Sequence, residues 1–263
     1  MAGYSLELVV WAGAATSLLY LLKMAWPRPA QDRLAGISLI TAFFATCIGL
    51  AAAAGQGQPI PAWCVFCVPL LILYWILETE FATRLLGLVP ALLTTLAPLL
   101  LGAQRWVGHL QQGWTTMAEL GLLAGMAMLA LALGTWGLML PLRAVPAVQV
   151  RKTARMFVVN PPVLAELSYR CNTWALPFLV GAAAAALLGV RPGQVPGEVF
   201  LWLLGALVGS VGYTTMARRD GFSWAVVLLA GAMLTACFGW RGLPAEAAAA
   251  PRAPIAHVLE FGR

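Results

Sequence analysis

Cys64 and Cys67 are the residues of this chain best equipped for covalent chemistry. They follow Pro59-Ile60-Pro61-Ala62-Trp63 and open an apolar run. At an i, i+3 spacing on a helix the two thiols share one face, as a dithiol/disulfide couple requires. A place in the first helical turn favours the reactive thiolate. If that end faces an oxidising compartment, the pair is a candidate redox centre. The opposing reading is plain packing, because cysteine is common in apolar helices. A membrane thiol oxidoreductase also relays electrons through a second pair, and Cys47, Cys171 and Cys237 are not spaced as one. Cys47 and Cys237 would have to be brought together by the fold.

Histidine is scarce. His109 and His257 are the only two. Two imidazoles do not close a structural zinc site, but two can ligate a haem iron axially. Both are also what ordinary polar loop residues look like. Glu119 is the one charged residue well inside an apolar run, near its start, where it is expected to reach water. No P-loop, dinucleotide glycine fingerprint, Ser-x-x-Lys or His-Glu-x-x-His is present.

The elements that must position these groups are set by composition. Of 263 residues, 61% are apolar and only 10% charged, and the mean hydropathy is +0.84. Eight helices of roughly 20 residues would use about 160 apolar positions, which is about what the chain holds. A soluble globule and a disordered chain are both excluded. The expected fold is an all-α polytopic membrane protein of about eight transmembrane helices, over 5–22, 34–55, 63–79, 85–102, 117–140, 171–190, 198–217 and 222–240. Residues 1–245 form a single transmembrane domain, and 246–263 an extracytoplasmic tail. The N-terminal run lacks a positive start and a cleavage site, so it reads as a span that stays. The net charge of +6 comes with no basic, aromatic-interleaved surface, so no nucleic-acid partner is expected.

Lysine and arginine instead set the orientation. The loops after spans one, three, five and seven hold Lys23, Arg28, Arg33, Arg84, Arg143, Arg151, Lys152, Arg155, Arg218 and Arg219. The other side holds Arg105, Arg191, Arg241, Arg252 and Arg263. The richer side is cytoplasmic, which places both termini, Cys64, Cys67, His109 and His257 on the extracytoplasmic side of a bacterial inner membrane. Tryptophans at span ends, Trp11, Trp63, Trp202 and Trp240 among them, read as interfacial anchors. Gly205 and Gly209 match a small-xxx-small pattern that in a bundle usually packs internally.

Four stretches, taken in order, resemble the cytochrome c assembly family of membrane haem handlers, the CcsA/ResC type. Gly57-Gln58-Pro59-Ile60-Pro61 and the later Glu78 to Arg84 and Gly87 are similar to that family's Gly-His-Pro-Pro loop and E-x-x-x-x-x-R-x-x-G turn. Leu110-Gln111-Gln112-Gly113-Trp114 resembles its Leu-Gln-Ser-x-Trp entry, and Leu164 to Arg170, followed by Pro177, its Leu-x-x-Leu-Ser-Tyr-Arg segment. Gly239-Trp240-Arg241-Gly242 falls where the last span would exit. The likeness covers roughly residues 5–245. It implies an eight-helix bundle, haem as a possible cofactor, and membrane partner subunits of a cytochrome or cytochrome c assembly complex.

The chain departs from the family at the ligands. Gln58 stands at the Gly-His-Pro-Pro histidine, Ala118 near the second, and Gly212 to Met216 offers no third; the loop 190–198 has no tryptophan. His257 and His109 are the haem-ligand candidates that remain. Three functions follow: haem handling or an accessory role in cytochrome c maturation, a structural membrane subunit on a degenerate haem-handler scaffold, or a thiol–disulfide oxidoreductase at Cys64 and Cys67.

Overall fold

A computed structural model describes residues 2–25, 29–55, 60–81, 87–101, 106–107, 114–144, 161–189, 197–217 and 222–242. Among these residues the chain forms eight helices: α1 (Ala2–Ala25), α2 (Pro29–Gly55), α3 (Ala62–Phe81), α4 (Leu88–Leu101), α5 (Trp114–Ala144), α6 (Pro161–Gly189), α7 (Gly197–Ala217) and α8 (Phe222–Gly242). Four contain stretches long and apolar enough to cross a membrane: Met117–Met139, Pro162–Leu188, Glu198–Ala217 and Trp224–Arg241. The apolar stretches described in α1 to α4 are shorter. At about 1.5 Å per residue, the 14 residues of α4 rise only about 21 Å, against a hydrocarbon core of about 30 Å.

The helices pack around α5. It is apolar on all sides, and such a helix belongs in the interior. Its spanning stretch is 72% buried, against 39% or less in α6, α7 and α8. Small residues let the neighbours close on it. A Cβ at Gly121 would lie 3.1 Å from the Phe178 carbonyl oxygen of α6, and one at Gly125 would lie 2.8 Å from Leu179. Between helices apolar enough to cross a membrane, close backbone approach of this kind is a main source of attraction. Helix α8 packs on α5 and pairs with α7; α3 and α4 pack on α5 and on each other; α1 rests on α4 and carries α2.

Several hydroxyls in the apolar interior are satisfied within their own helices. Thr16, Ser17, Thr46 and Thr94 each donate to the carbonyl four residues back, at 2.6–2.9 Å. The outward faces of α7 and α8 carry exposed Leu204, Val208, Val227 and Leu234, as lipid-facing helices do.

Several expectations are corrected. Two short strands, β1 (Ile60–Pro61) and β2 (Trp106–Val107), pair antiparallel with Ile60 opposite Val107. The pairing ties the connection before α3 to the one before α5, at one end of the bundle. Helix α6 begins at Pro161, where the Pro161-Pro162 pair suits a first helical turn, ten residues before the expected apolar span 171–190; Leu164, Leu167 and Ser168 already face the interior there. Trp63 and Trp240 are buried inside the bundle rather than anchoring at an interface, whereas Trp11 is exposed. Glu119 does not reach water: it is 8% exposed, beside buried Ala118 and Leu122 on the central helix, and it interacts within the bundle. The tail 246–263 lies outside the described residues.

Candidate functional site

Helix α3 starts two residues before Cys64, so the two cysteines occupy its first turns as the spacing requires. Both thiols are free and wholly buried. They face inward with Phe66, Leu70 and Leu71, and the Cys67 thiol lies beside Thr94 of α4. A reactive thiol is partly exposed in an electropositive setting; these are packed core groups. Cys47 lies on α2 and Cys237 on α8, helices that pack on different neighbours, so the fold does not gather them into a relay pair. His109 falls two residues beyond Val107 in the connection before α5, and both it and His257 lie outside the described residues, as does Gln58.

The segment Leu164 to Arg170 supplies a buried polar junction of three helices. The Ser168 hydroxyl lies 3.0 Å from the Ala132 carbonyl oxygen of α5, as its donor, and 2.8 Å from the Tyr213 hydroxyl of α7. The Trp136 indole of α5 lies beside the same Tyr213 hydroxyl. One turn along, Asn172 and Ser210 bond reciprocally. Asn172 Nδ2 donates to the Ser210 carbonyl at 3.0 Å, and Ser210 Oγ donates to Asn172 Oδ1 at 2.9 Å. All four side chains are buried. Outside the junction, Arg170 Nε pairs with Glu166 Oε1 at 2.9 Å across one exposed helical turn. Sequence reasoning scanned the spans for charge and passed over this junction. Uncharged Asn172, Ser210 and Tyr213 in mid-span were the available signal, since polar groups in lipid need partners.

A trough of about 830 Å³ has α5 as its floor and, as its walls, α3, with the end of α2, and α6. Met117, Leu120, Gly121 and Ala124 form the floor; Val65, Val68 and Ile72 face Phe178, Gly181 and Leu188 across it. Both walls contain a proline within a helix, Pro69 and Pro177, and both prolines line the trough. Proline removes a helical hydrogen bond and bends the helix, which accounts for a gap here. A smaller pocket of about 340 Å³, with Phe43, Phe44 and Trp75, continues along the α2–α3 seam and shares Ile72.

A haem fits none of this. The trough offers no imidazole, and no cation to meet the two propionates. Among the described residues, no three metal-ligating side chains cluster. The haem-ligand candidates therefore remain His109 and His257 alone. Compared with family models, curated proteins and solved structures, the chain matches none.

Proposed function

We propose that the chain is a multi-pass membrane subunit of the cytochrome c assembly type, serving haem handling or cytochrome c maturation in an accessory role. One observation carries this reading. One of the segments that resemble the family's, Leu164 to Arg170, is also the segment that ties α5, α6 and α7 together through Ser168. The positions of the family's ligands hold residues without imidazole, and Ala118 is packed in the core. At Leu164 to Arg170 the likeness thus falls on residues that build the bundle, and the departures fall on positions where the family holds its ligands. A scaffold kept for partner assembly has this distribution.

In this reading the eight helices all cross a bacterial inner membrane, with the ten-cation side cytoplasmic. The β-paired connections and both termini are extracytoplasmic. What the chain contributes is a fixed frame for membrane partners, with His109 and His257 on the face where haem is handed over. The test is deletion in the native host, with c-type cytochromes read by haem staining of membrane proteins. Their content falls on deletion and returns with a plasmid copy; unchanged content ends the proposal.

The thiol–disulfide alternative draws no support from Cys64 and Cys67, because burial withholds both from an incoming protein thiol.

A further inference from the structure

We propose that the trough between α3 and α6 is a binding site for a single acyl chain of a membrane phospholipid, held in one leaflet. Its walls select the chemistry. All sixteen lining residues have hydrocarbon side chains, the Met117 thioether or no side chain at all. A quinone head or a haem would leave its oxygens without a side-chain partner, whereas a methylene chain needs none.

Length selects the occupant further. Along α6 the lining runs from Pro177 to Leu188, eleven residues or about 16 Å at 1.5 Å per residue. That is about half of a hydrocarbon core of about 30 Å. The lining is confined to the end of the bundle where α2 finishes and α3 and α5 begin. The trough therefore spans the depth of one leaflet and stops. Its side is open: Met117 is 60% and Leu188 66% exposed. A chain enters laterally from the bilayer without its headgroup leaving the interface.

The floor and one wall are shaped for something thin. Gly121 brings α5 against α6, and a Cβ added at Gly181 would meet no atom within 4 Å, so that glycine opens onto empty space rather than serving a protein contact. The inference rests only on these helices crossing a bilayer and is independent of any role in cytochrome c maturation.

The experiment uses the full chain in detergent with equimolar phosphatidylethanolamine carrying a diazirine midway along one acyl chain. After irradiation, adducts are mapped by peptide mass spectrometry. The expected adducts lie on Val65 to Ile72, Met117 to Ala124 and Pro177 to Leu188. Gly181→Trp lowers that labelling about ten-fold, the equivalent of about 1.4 kcal/mol of affinity. Gly137→Trp leaves it unchanged, since a Cβ there also meets open space but outside the trough. Ala184→Phe, at an exposed lining position, provides a second filling variant should Gly181→Trp fail to fold. Three results overturn the proposal: adducts spread evenly onto Leu204 and Val208, labelling of a filled variant equal to wild type, or stronger labelling by a diazirine-bearing polyprenol. A chain-to-chain crosslink through the same residues does so too, by assigning the trough to a second copy.

Discussion

Ser168 and Tyr213 share a 2.8 Å hydrogen bond between two buried hydroxyls. Interhelical bonds of this kind in membranes contribute from about 0.6 to 2 kcal/mol. Tyr213→Phe keeps the ring and removes the hydroxyl, so unfolding in mixed detergent micelles should show a loss within that range. Ser168→Ala should cost at least as much, because the Ala132 carbonyl loses its added donor as well. The two changes share one bond, and their combination should fall short of the sum; strict additivity would separate the residues and dissolve the junction. The thiols give an opposite expectation, of inertness. Alkylation in native membranes by a permeant maleimide should modify partly exposed Cys47 well before Cys64 or Cys67, which should react only after denaturation. Rapid modification of Cys64 would return the redox reading to first place.

Between helices, geometry is set by where a side chain is missing. Gly209 of α7 faces α8 so closely that a Cβ would lie 2.9 Å from the Leu228 carbonyl oxygen and 3.0 Å from the Ala232 Cβ. Gly205 faces Thr235 of the same helix, so the small-xxx-small pair is spent inside the chain, as its setting in a bundle suggests. Gly209→Leu must push α7 and α8 apart and should cost about 1–3 kcal/mol or more. Gly231→Leu, where a Cβ meets nothing, should be close to neutral or slightly favourable through helix propensity. Equal effects in the same unfolding assay would mean that α7 and α8 do not meet here. The helices themselves were legible: seven of the eight expected spans start within five residues of the observed helix, because long apolar runs and Pro or Gly breaks are local signals. The start of α6 is marked by the Pro161-Pro162 pair, which suits a first helical turn, even though Glu166 and Arg170 lower the hydropathy before residue 171. The Ser168–Tyr213 junction was not legible. Its partners are 45 residues apart, and only the packing of α6 against α7 makes them neighbours.

For the molecule as a whole, the position of every candidate group depends on which end of the bundle faces the cytoplasm. The β1–β2 pairing puts the α2–α3 and α4–α5 connections at the same end. Even-numbered crossings between them would give that result, and the expected orientation follows from charge, since Lys and Arg in the opposite connections outnumber those on this side by ten to five. Alkaline phosphatase, which folds to an active enzyme only in an oxidising compartment, should be active when fused after Gly55, Gly189 or Arg263 and silent after Ala25, Ala144 or Ala217. The short α4 makes the assay decisive, because a 14-residue helix that only enters the bilayer and returns would leave α3 and α4 together as one excursion. Fusions after Phe81 would then be active along with those after Gly55, and α5 would still start from the extracytoplasmic side. A silent fusion at Phe81 with active ones at Gly55 and Gly189 requires α3 and α4 to cross separately. Active fusions at Ala144 or Ala217 would invert the bundle, move His109 and His257 to the cytoplasmic face, and end the haem-handling reading with them.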